Sequence, residues 1–376
     1  MIPFNQASIG QRELDLLAEA LKLGHISGNG PTTAQAERLL ESVHGSGRSL
    51  LTTSCTHALE MSARLLRLEP GDEIIVPSFT FVSTAGAFLL HSGRPVFVDV
   101  REDTLNIDFE QARDAFSPRT KAICIVHYAG VAAEPDRFAE LCKERGIALI
   151  EDNAHGLFGS FRGRPLGTFG SMSTMSFHET KNITCGEGGA LHLNAEELIE
   201  RAEILREKGT DRSRFFRGEV DKYTWVDVGS SWVLSDLLAG VLLGQLERRE
   251  RIQARRSTIW SRYATELSGW ASANGVRIPS IPEGANHPAH LFHLRLRSGN
   301  DRSRFIESLK RDDVHAVFHY QALHLSDVGR SLGGRRGQCP VTEEAADTLV
   351  RLPLHLGMSD SDIDRVVSNV VQFSSE

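Results

Sequence analysis

The sequence predicts an α/β fold in which a mixed, mostly parallel sheet lies between helices, followed by a smaller C-terminal α+β domain. From about residue 50 to 190, short apolar or β-branched runs alternate with longer segments of helical period, which is typical of βαβ units. The chain has 376 residues, and a single hydrophobic core rarely extends beyond roughly 250 to 300 residues. We therefore expect a large domain over residues 1–250, which includes an N-terminal arm, and a small domain over residues 251–376.

The predicted strands of the large domain are near-continuous hydrophobic runs, as expected for a sheet covered by helices on both faces. They cover residues 73–76, 95–98, 122–126, 148–150 and 173–176. Segments of helical period predict helices over residues 56–66, 80–91 and 135–145. Since catalytic groups gather at the carboxyl ends of parallel strands, the residues that follow these strands are candidates for a site.

A long segment of helical period, over residues 235–267, predicts one helix that connects the two domains. Its second half is strongly basic, and we interpret its arginines as the solvated face of that helix. They are Arg248, Arg249, Arg251, Arg255 and Arg256. After Asn274 the chain becomes rich in turn-forming residues, and a strand over residues 290–296 and a helix over residues 302–311 are predicted for the small domain.

The composition is that of an ordinary globular protein, with 40% hydrophobic and 24% charged residues. The 42 basic residues are outnumbered by 49 acidic ones, so the chain has no basic footprint for a nucleic acid. The N-terminal residues lack a charged region followed by an apolar core, and no run of about 18 apolar residues predicts a membrane span. We expect a cytoplasmic protein that binds neither nucleic acid nor membranes.

The metal-binding residue types show no ligand spacing. Five scattered cysteines without a CxxC pair indicate neither a disulfide framework nor a structural zinc site. The histidines form no HExxH motif and no facial-triad spacing, and isolated histidines are more often core or surface residues than ligands. We therefore expect no metal.

Lys181 lies in the segment SFHETKN, residues 176–182, just beyond a predicted strand and before the glycine cluster of residues 186–189. A lysine beside flexible backbone suits a Schiff-base lysine, whose amine must lose its proton and reach a carbonyl carbon. The alternative is an ordinary surface lysine before a glycine-rich turn. This segment alone does not separate the two.

A second candidate feature is the pair of carboxylates, Glu151 and Asp152, into which a buried strand runs directly. In enzymes that use pyridoxal phosphate, an aspartate keeps the pyridine nitrogen protonated so that the ring can accept electrons. The alternative is a helix N-cap, a position that Asp and Asn both favour. Taken by itself, the segment favours the N-cap.

A third candidate feature is the turn TTSCTH, residues 52–57, which opens a predicted helix with several hydroxyl groups. Backbone N–H groups and hydroxyls at the positive end of a helix dipole can bind a phosphate. Simple capping of the helix is the alternative. The sequence contains no Walker A or GxGxxG motif that would favour a nucleotide-binding fold.

The three features occur in the order of a phosphate cradle, a carboxylate for a ring nitrogen and a Schiff-base lysine, and each supports the others. Eight segments, including FHETKN and REKGT, then carry a resemblance to a known family. The sequence resembles the DegT-type nucleotide-sugar aminotransferases, which have the aspartate aminotransferase fold, and among them the dTDP-4-amino-4,6-dideoxygalactose transaminases. The segments are residues 2–5, 77–84, 126–130, 177–182, 206–210, 215–218, 220–225 and 351–354.

This resemblance implies pyridoxal 5'-phosphate as the cofactor. Lys181 matches the lysine that forms the imine and moves the proton between substrate carbon and cofactor, and Asp152 matches the partner of the ring nitrogen. His155 matches a residue near the phenolic oxygen, and Phe81 matches the aromatic residue over the ring, with plain core packing as its alternative. The matches to the phosphate contacts are Ser54, Cys55, Thr56 and Ser176.

The resemblance also implies a homodimer with shared active sites. Many relatives have a Gly-Tyr-Asn motif whose Asn reaches the phosphate of the neighbouring site, whereas this chain has the run GSS, residues 229–231. The shorter Ser231 is the candidate for that contact. The same run is typical of the 4-amino-galactose subgroup.

Substrate contacts are expected from two further segments. The basic and aromatic loop over residues 206–225 is a candidate for the diphosphate of a nucleotide sugar bound at the neighbouring subunit's site, because arginine forms paired hydrogen bonds to phosphate. A solvated charge run is the alternative, since acidic residues are interleaved with the cations. The candidate substrate contacts are Lys208, Arg212 and Arg217 in this loop, and His319, Tyr320 and His324, which match a segment that borders the sugar pocket in relatives.

The expected reaction moves the amino group of L-glutamate onto C4 of a dTDP-linked 4-keto-6-deoxyhexose, giving a 4-amino-4,6-dideoxyhexose of galacto configuration and 2-oxoglutarate. One alternative is a C3-specific or other nucleotide-sugar aminotransferase. A second is a related dehydratase, against which Lys181 counts because those relatives have His at this position. A third is a non-catalytic sensing module of the same fold, which the presence of both Lys181 and Asp152 makes a weaker interpretation.

Overall fold

A computed structural model describes residues 1–374 of the chain. None of the helices in this range has the length and apolar character that crossing a membrane requires. The helices are α1 (Gln11–Leu23), α2 (Pro31–His44), α3 (Cys55–Leu65), α4 (Val82–Leu90), α5 (Phe109–Asp114), α6 (Pro135–Arg145), α7 (Ile199–Arg206), α8 (Arg212–Phe216), α9 (Asp236–Glu247), α10 (Arg249–Ala273), α11 (Gly299–Arg311), α12 (Asp327–Ser331), α13 (Pro340–Thr348) and α14 (Asp360–Gln372). The strands are β1 (Arg48–Thr52), β2 (Glu73–Pro77), β3 (Arg94–Val98), β4 (Thr120–Val126), β5 (Ala148–Asp152), β6 (Ser160–Phe161), β7 (Arg164–Pro165), β8 (Met172–Ser176), β9 (Gly189–Leu193), β10 (Ala285–Asn286), β11 (Phe292–Arg295), β12 (Val317–Phe318) and β13 (Leu349–Leu352).

The large sheet within residues 1–374 has seven strands in the order β1-β9-β8-β5-β4-β2-β3. The neighbours from β3 through β2, β4 and β5 to β8 are parallel, while β9 runs antiparallel to both β8 and β1. The predicted mixed, mostly parallel sheet is therefore confirmed. Every predicted strand and helix of the segment from residue 50 to 190 has a counterpart within two residues at each end.

Helices cover both faces of this sheet. One face packs against α3 and α4 through buried side chains such as Leu59, Phe88 and Ile150. The other face packs against α1, α2 and α9 near β1 and β9, and against α6 near β4. The carboxyl ends of β4, β5 and β8 therefore meet at one edge, beside the N-terminal ends of α3 and α4, and this edge forms the candidate site.

The C-terminal part has a separate core. The antiparallel sheet β11-β13-β12 packs on α10, α11 and α14 through buried residues that include Tyr263, Phe292, Phe305 and Val366. Ile2 of the N-terminal arm is buried in the same cluster and pairs with Val314. The predicted strand over residues 290–296 and helix over residues 302–311 are confirmed. The domain boundary at residue 250 stays a prediction.

The prediction of one helix over residues 235–267 is wrong. The chain forms α9 and α10, and Arg248 between them has φ −95° and ψ 7°, outside the helical range. The Arg248 amide closes the last turn of α9 on the carbonyls of Gly244 and Gln245, and its guanidinium binds the buried Glu13 and the carbonyl of Ser8. These contacts end α9 at Glu247 and separate it from α10, which begins at Arg249. Hydrophobic periodicity does not reveal them.

The interpretation of the arginines as a solvated face is also wrong for Arg256. This side chain is buried, and it donates hydrogen bonds to the carbonyls of Ala289, at 3.1 Å, and His290, at 2.5 Å. Burial lowers its pKa to about 9. Arg256 thus fixes the segment that leads into β11, where the sequence pattern indicated only a charged surface.

Candidate active site

Asp152 is the last residue of β5, at the edge where the parallel strands end. Because side chains alternate along a strand, Asp152 shares a face with Ile150 and points toward α3 and α4. No helix begins at this residue, so the N-cap interpretation does not apply. The carboxylate is buried and accepts hydrogen bonds from the hydroxyl of Thr84, at 2.7 Å, and the amide of Ala154, at 3.2 Å.

The pKa of Asp152 is raised above its usual value by burial, which the hydrogen bonds from Thr84 and Ala154 oppose. Lys181 also acts to lower it, but no ion pair within 4.0 Å joins the two side chains in the described part of the chain. A buried carboxylate that has no cationic partner is stabilised in its ionised form by a neighbouring cationic N–H donor.

Glu151, the other carboxylate of the motif, points to the opposite face of the sheet. It is completely buried and accepts hydrogen bonds from the amides of Gly167, Phe169 and Gly170, and it lies 2.9 Å from Nε2 of His127. Its hydrogen-bonding capacity is used within the fold. The two adjacent acids therefore have different roles, and only Asp152 belongs to the candidate site.

Lys181 lies in the turn that follows β8, where its amide donates to the carbonyl of His178 at 2.9 Å. The residue is partly buried, and burial lowers the pKa of its amine to about 8, an effect that the carboxylate of Asp152 opposes. A lowered pKa leaves a fraction of the amine neutral near pH 7, which is the form that attacks a carbonyl carbon. The interpretation as an ordinary surface lysine does not fit this environment.

The N-terminal end of α3 lies beside Asp152 and Lys181. Ser54 caps the helix by accepting from the His57 amide at 3.1 Å, so the capping interpretation is correct for this residue. The first helical amides, those of Cys55 and Thr56, have no intrahelical acceptor and remain available to an anion. The hydroxyl of Thr56 lies 2.7 Å from that of Ser83, which adds a hydroxyl pair to this end of the helix.

Gly189 lets β9 approach this helix end closely. A Cβ atom on Gly189 would lie 2.3 Å from the Cys55 nitrogen and 2.3 Å from the Ser54 carbonyl carbon. Gly189 pairs with Thr52 on one side and with Ser176 on the other, so it joins the strands that carry the candidate phosphate contacts. Close packing of β9 against the start of α3 therefore requires glycine at position 189, the last residue of the glycine cluster that follows Lys181.

A group of aromatic side chains borders the site. His155 stacks on His290 with ring centroids 4.1 Å apart, and its Nε2 lies 3.4 Å from the hydroxyl of Tyr320. Burial lowers the pKa of His155 well below its usual value, so the ring is neutral near pH 7. Phe81 is the N-cap residue of α4, is 56% exposed, and lies 6.3 Å from the Tyr320 ring. An exposed Phe81 does not support the core-packing alternative.

Ser231 is exposed, and its backbone forms a bridge with Glu207. In the basic loop, Arg217 is paired within its own chain, to Glu203 at 2.6 Å and to Glu219 at 2.7 Å. Lys208 and Arg212 are exposed and form no ion pair with any residue of the range 1–374. Of the three predicted loop contacts, these two are the better placed to meet an external anion.

The structure corrects the position of His324 as a predicted substrate contact. This residue is completely buried, with Nδ1 2.6 Å from the Ser78 hydroxyl and Nε2 3.1 Å from Glu343. Its ring therefore has no surface to offer a sugar. His319 is also nearly buried, with Nδ1 3.1 Å from the Tyr128 hydroxyl, whereas Tyr320 is partly exposed beside Phe81.

Several residues of the site were not singled out from the sequence. Thr84 binds Asp152, and His290 links His155 to Asn182, the neighbour of Lys181, through a 2.8 Å contact. Thr84 stands inside the predicted helix over residues 80–91, and His290 stands in a predicted strand, so each resembled a packing residue. Within residues 1–374, no group of three or more His, Cys, Asp or Glu side chains is arranged to hold a metal ion.

The donor set fits pyridoxal phosphate, the cofactor that the resemblance implies. The observation that supports the fit is the buried Asp152 carboxylate, which lacks a cationic partner and faces the amine of Lys181. Burial disfavours the charged form of that amine. A pyridinium N–H would supply the partner of Asp152, and the aldehyde would take up the amine of Lys181. The free amides and hydroxyls at the start of α3 are suited to the phosphate.

Comparison with known proteins agrees with this geometry. A family model described as the DegT/DnrJ/EryC1/StrS aminotransferase family matches residues 7–371. A protein of Methanocaldococcus jannaschii, described as uncharacterised, is 32% identical over 382 residues, which cover 100% of this chain and 98% of that protein.

Two solved structures have nearly the same fold. The aminotransferase TlmJ of Streptoalloteichus hindustanus is 32% identical to this chain, with a TM-score of 0.90. The match covers 99% of this chain and 98% of TlmJ. A candidate sugar aminotransferase of Streptococcus pneumoniae, Spr1654, is 27% identical to this chain in its apo form, with a TM-score of 0.92. The match covers 99% of this chain and 97% of that structure. Spr1654 has also been solved in PMP and PLP forms. The expected aminotransferase fold is thereby confirmed.

Proposed function

Because the chain belongs to the DegT/DnrJ/EryC1/StrS aminotransferase family and is therefore an aminotransferase, we propose that it acts on a nucleotide sugar. The amino group of L-glutamate is transferred to C4 of a dTDP-linked 4-keto-6-deoxyhexose. The products are 2-oxoglutarate and a 4-amino-4,6-dideoxyhexose of galacto configuration. The cofactor is pyridoxal 5'-phosphate, as in the PLP form of Spr1654. The sugar class is supported by the description of Spr1654, and the choice of C4 by the sequence resemblance.

The observation that carries the proposal is the arrangement of Asp152 and Lys181. Asp152 is buried and Lys181 is partly buried at the edge of the sheet, and each influences the pKa of the other without forming a close ion pair. An acid that favours a cationic N–H partner and an amine that is partly neutral are the two groups that transamination requires of the protein. The environments of both residues support catalysis over a sensing role.

The bound cofactor supplies an electron sink for the carbanion that forms when a proton leaves the amino acid. Lys181 then carries this proton, because an amine with a pKa of about 8 can both accept and release it near neutral pH. Asp152 holds the proton on the ring nitrogen, and Thr84 keeps its carboxylate in position. The neutral His155 offers a hydrogen bond near the phenolic oxygen. The start of α3, with Ser176, binds the phosphate.

The nucleotide sugar is proposed to bind across a homodimer. The loop over residues 206–225 exposes Lys208 and Arg212 as well as aromatic residues such as Phe216 and Trp225. Cations suit the diphosphate, and exposed aromatic faces suit stacking on a base or packing against a second chain. In this arrangement Ser231, which is exposed, would serve the phosphate of the second chain's site.

The test is a pair of half-reactions followed by absorption spectroscopy. The cofactor-loaded enzyme should show the visible band of the Schiff base, and L-glutamate should convert it to the pyridoxamine form. The converted enzyme is then mixed with dTDP-linked 4-keto-6-deoxyhexose or, separately, with the 3-keto isomer. The position and configuration of the new amine are read from the NMR spectrum of the product.

The proposal expects the band to return with the 4-keto sugar. The amino group of the product should be axial at C4, which is the galacto configuration. Return of the band only with the 3-keto sugar would replace the proposed C4 specificity with C3. A band that does not respond to L-glutamate would contradict the proposed donor. A protein that forms no band would contradict the role of Lys181.

A further inference from the structure

Asn29 lies in the run Gly-Asn-Gly that precedes α2. Its backbone has φ 59°, in the left-handed region, which asparagine adopts more readily than most residues. The glycines on both sides pack closely. A Cβ atom on Gly28 would lie 2.0 Å from a methyl carbon of Val233. One on Gly30 would lie 2.4 Å from a carboxylate oxygen of Asp236. The backbone at Asn29 is therefore held in place.

The side-chain amide of Asn29 joins a cation to an anion. Its Oδ1 atom accepts a hydrogen bond from Nη2 of Arg206 at 2.8 Å, and its Nδ2 group donates to Oε1 of Glu207. An arginine only donates and an ionised carboxylate only accepts, so the side chain between them must do both. An amide meets this requirement, whereas a carboxylate or an aliphatic side chain does not.

Arg206 is buried, and its other Nη atom binds the edge of the large sheet. Nη1 donates to Oε1 of Glu37, at 2.7 Å, and to the carbonyl of Leu51 in β1, at 3.1 Å. Glu37, on α2, also accepts from the Leu51 amide at 3.0 Å. The last residue of α7 is therefore bonded to both β1 and α2.

These contacts meet at the base of the basic loop, which covers residues 206–225. Glu207 pairs with Ser231 through a backbone bridge. The amide of Lys208 donates to the carbonyl of Ser230 at 2.9 Å. The start of the basic loop and the segment that follows it are thus joined where the Asn29 side chain binds.

The rest of the basic loop is bonded to itself and to α7. The amide of Asp211 donates to the carbonyl of Thr224 at 3.2 Å, and the amide of Thr224 donates to the carboxylate of Asp211 at 2.6 Å. Arg217 pairs with Glu203 of α7 at 2.6 Å. Because the loop is bonded in this way, the contacts at its base set the position of its exposed cations.

We propose that Asn29 and Arg206 are positioning residues that orient the basic loop for the nucleotide sugar, an inference that rests on the proposed function. Arg206 anchors the end of α7 to the sheet, and Asn29 extends this anchor to Glu207, where the loop begins. Lys208, the next residue, is exposed, so its amine is available to the diphosphate. Asn29 and Arg206 act through the loop and do not themselves contact the substrate.

The exposure of Asn29 allows positioning to be separated from stability. Arg206 and Glu37 are buried, so removal of Arg206 destabilises the fold by leaving a buried carboxylate without this partner. Asn29 is exposed, and surface side chains contribute little to the stability of a fold. Asn29 is therefore the residue to change.

The test compares three variants of the cofactor-loaded enzyme. Asn29→Gly removes both side-chain contacts and keeps a backbone conformation that glycine adopts freely. Asn29→Asp still accepts from Arg206 but cannot donate to Glu207, and the two carboxylates repel each other. Adding Glu207→Gln to Asn29→Asp restores a donor and an acceptor in reversed order. Asp313→Gly is the matched control, because Asp313 is also exposed, has φ 56° and lies beyond α11.

Three measurements are made on each variant. Hydrogen–deuterium exchange, followed by mass spectrometry of peptides from residues 206–232, reports on the backbone of the basic loop and needs no substrate. The nucleotide-sugar half-reaction gives a half-saturating concentration and a maximal rate. The L-glutamate half-reaction, measured at saturating cofactor, is the internal reference.

We expect Asn29→Gly and Asn29→Asp to speed exchange across the basic loop. Both should raise the half-saturating concentration of the nucleotide sugar about 10-fold, as for the loss of one hydrogen bond to a charged group. The maximal rate, the L-glutamate half-reaction and the melting temperature should change little. The double variant should recover most of the loss, and Asp313→Gly should match the wild type in every measurement.

Wild-type exchange and a wild-type half-saturating concentration in Asn29→Gly would overturn the inference. A parallel loss of both half-reactions with a lower melting temperature would also overturn it, because that result assigns Asn29 to the stability of the fold. If the wild-type enzyme does not react with the nucleotide sugars, the proposed function fails. The exchange rates then still decide whether Asn29 holds the loop.

Discussion

The hydroxyl of Thr84 lies 2.7 Å from the Oδ2 atom of Asp152, although the two residues are 68 positions apart in the sequence. The contact joins the first turn of α4 to the end of β5, so one hydroxyl ties a helix to the carboxylate at the centre of the site. It also opposes the effect of burial on the pKa of Asp152. The contact makes the ionised form of Asp152 more accessible.

Thr84→Val should therefore raise the pKa of Asp152 further, because a hydrogen bond that lowers it is lost. Since the carboxylate is ionised only above its pKa, the acid limb of the pH–rate profile should move to higher pH. Turnover at neutral pH should fall by about tenfold, near the lower end of the range for a hydrogen bond to a charged group. Steady-state rates between pH 5 and 8 check this, with Thr80→Val, whose hydroxyl contacts Thr84, as the control.

Asp152→Asn should reduce turnover by about 100-fold or more, since losing one partner of a buried charge pair costs about 3–5 kcal/mol. The visible band should still form, because Lys181 is intact. Glu151→Gln gives the contrast: it should lower the melting temperature, since Glu151 accepts three backbone hydrogen bonds, and leave the chemistry of the bound cofactor unchanged. Wild-type turnover in Asp152→Asn would refute the assigned role.

The rate at which the enzyme takes up pyridoxal phosphate should depend on pH through Lys181. The neutral amine is the reactive form, and its fraction rises as pH approaches the pKa of about 8 from below. The uptake rate should thus increase about tenfold for each pH unit below that value and level off above it. Stopped-flow absorbance checks this, and Lys181→Ala should remain folded while showing neither band nor turnover.

Gly189→Ala should weaken cofactor binding and destabilise the fold. The added Cβ would lie 2.3 Å from the Cys55 nitrogen, so β9 and the start of α3 must move apart. Overpacking of this kind costs about 1–3 kcal/mol. Melting temperature and cofactor affinity should fall together. Gly269→Ala, on α10 with no atom within 4 Å of the new Cβ, should instead gain about 0.5–1 kcal/mol of stability.

Much of the fold follows from the sequence because its signals are local. The strands that end at Val126 and Asp152 are apolar runs with turn residues after them, and the helix Pro135–Arg145 has a proline at its start and a glycine beyond its end. These features are within a few residues of one another, so the pattern alone indicates them. The break at Arg248 was missed because its cause, the contact with Glu13, joins segments far apart in the chain.

The same distinction applies to the site. Asp152 ends one strand and Lys181 lies just beyond another. Because the strand ends meet at one edge, the proximity of the two residues is a consequence of the predicted topology. Thr84 and His290 have no such signal, since each is recognised only by what lies across from it. His324 is the reverse case: its position in the chain suggested a sugar contact, and its partners Ser78 and Glu343 enclose it instead.

The place of β1 at the edge of the large sheet has a consequence for how the chain folds. Its sheet neighbour is β9, so Thr52 pairs with Gly189 and Arg48 with Leu193. During synthesis, β1 and the start of α3 must wait until most of the first two hundred residues have left the ribosome before they can be fixed in place. Long-range pairing of this kind slows folding. The phosphate end of the pocket should therefore form late, after the parallel strands β2 to β5 have assembled.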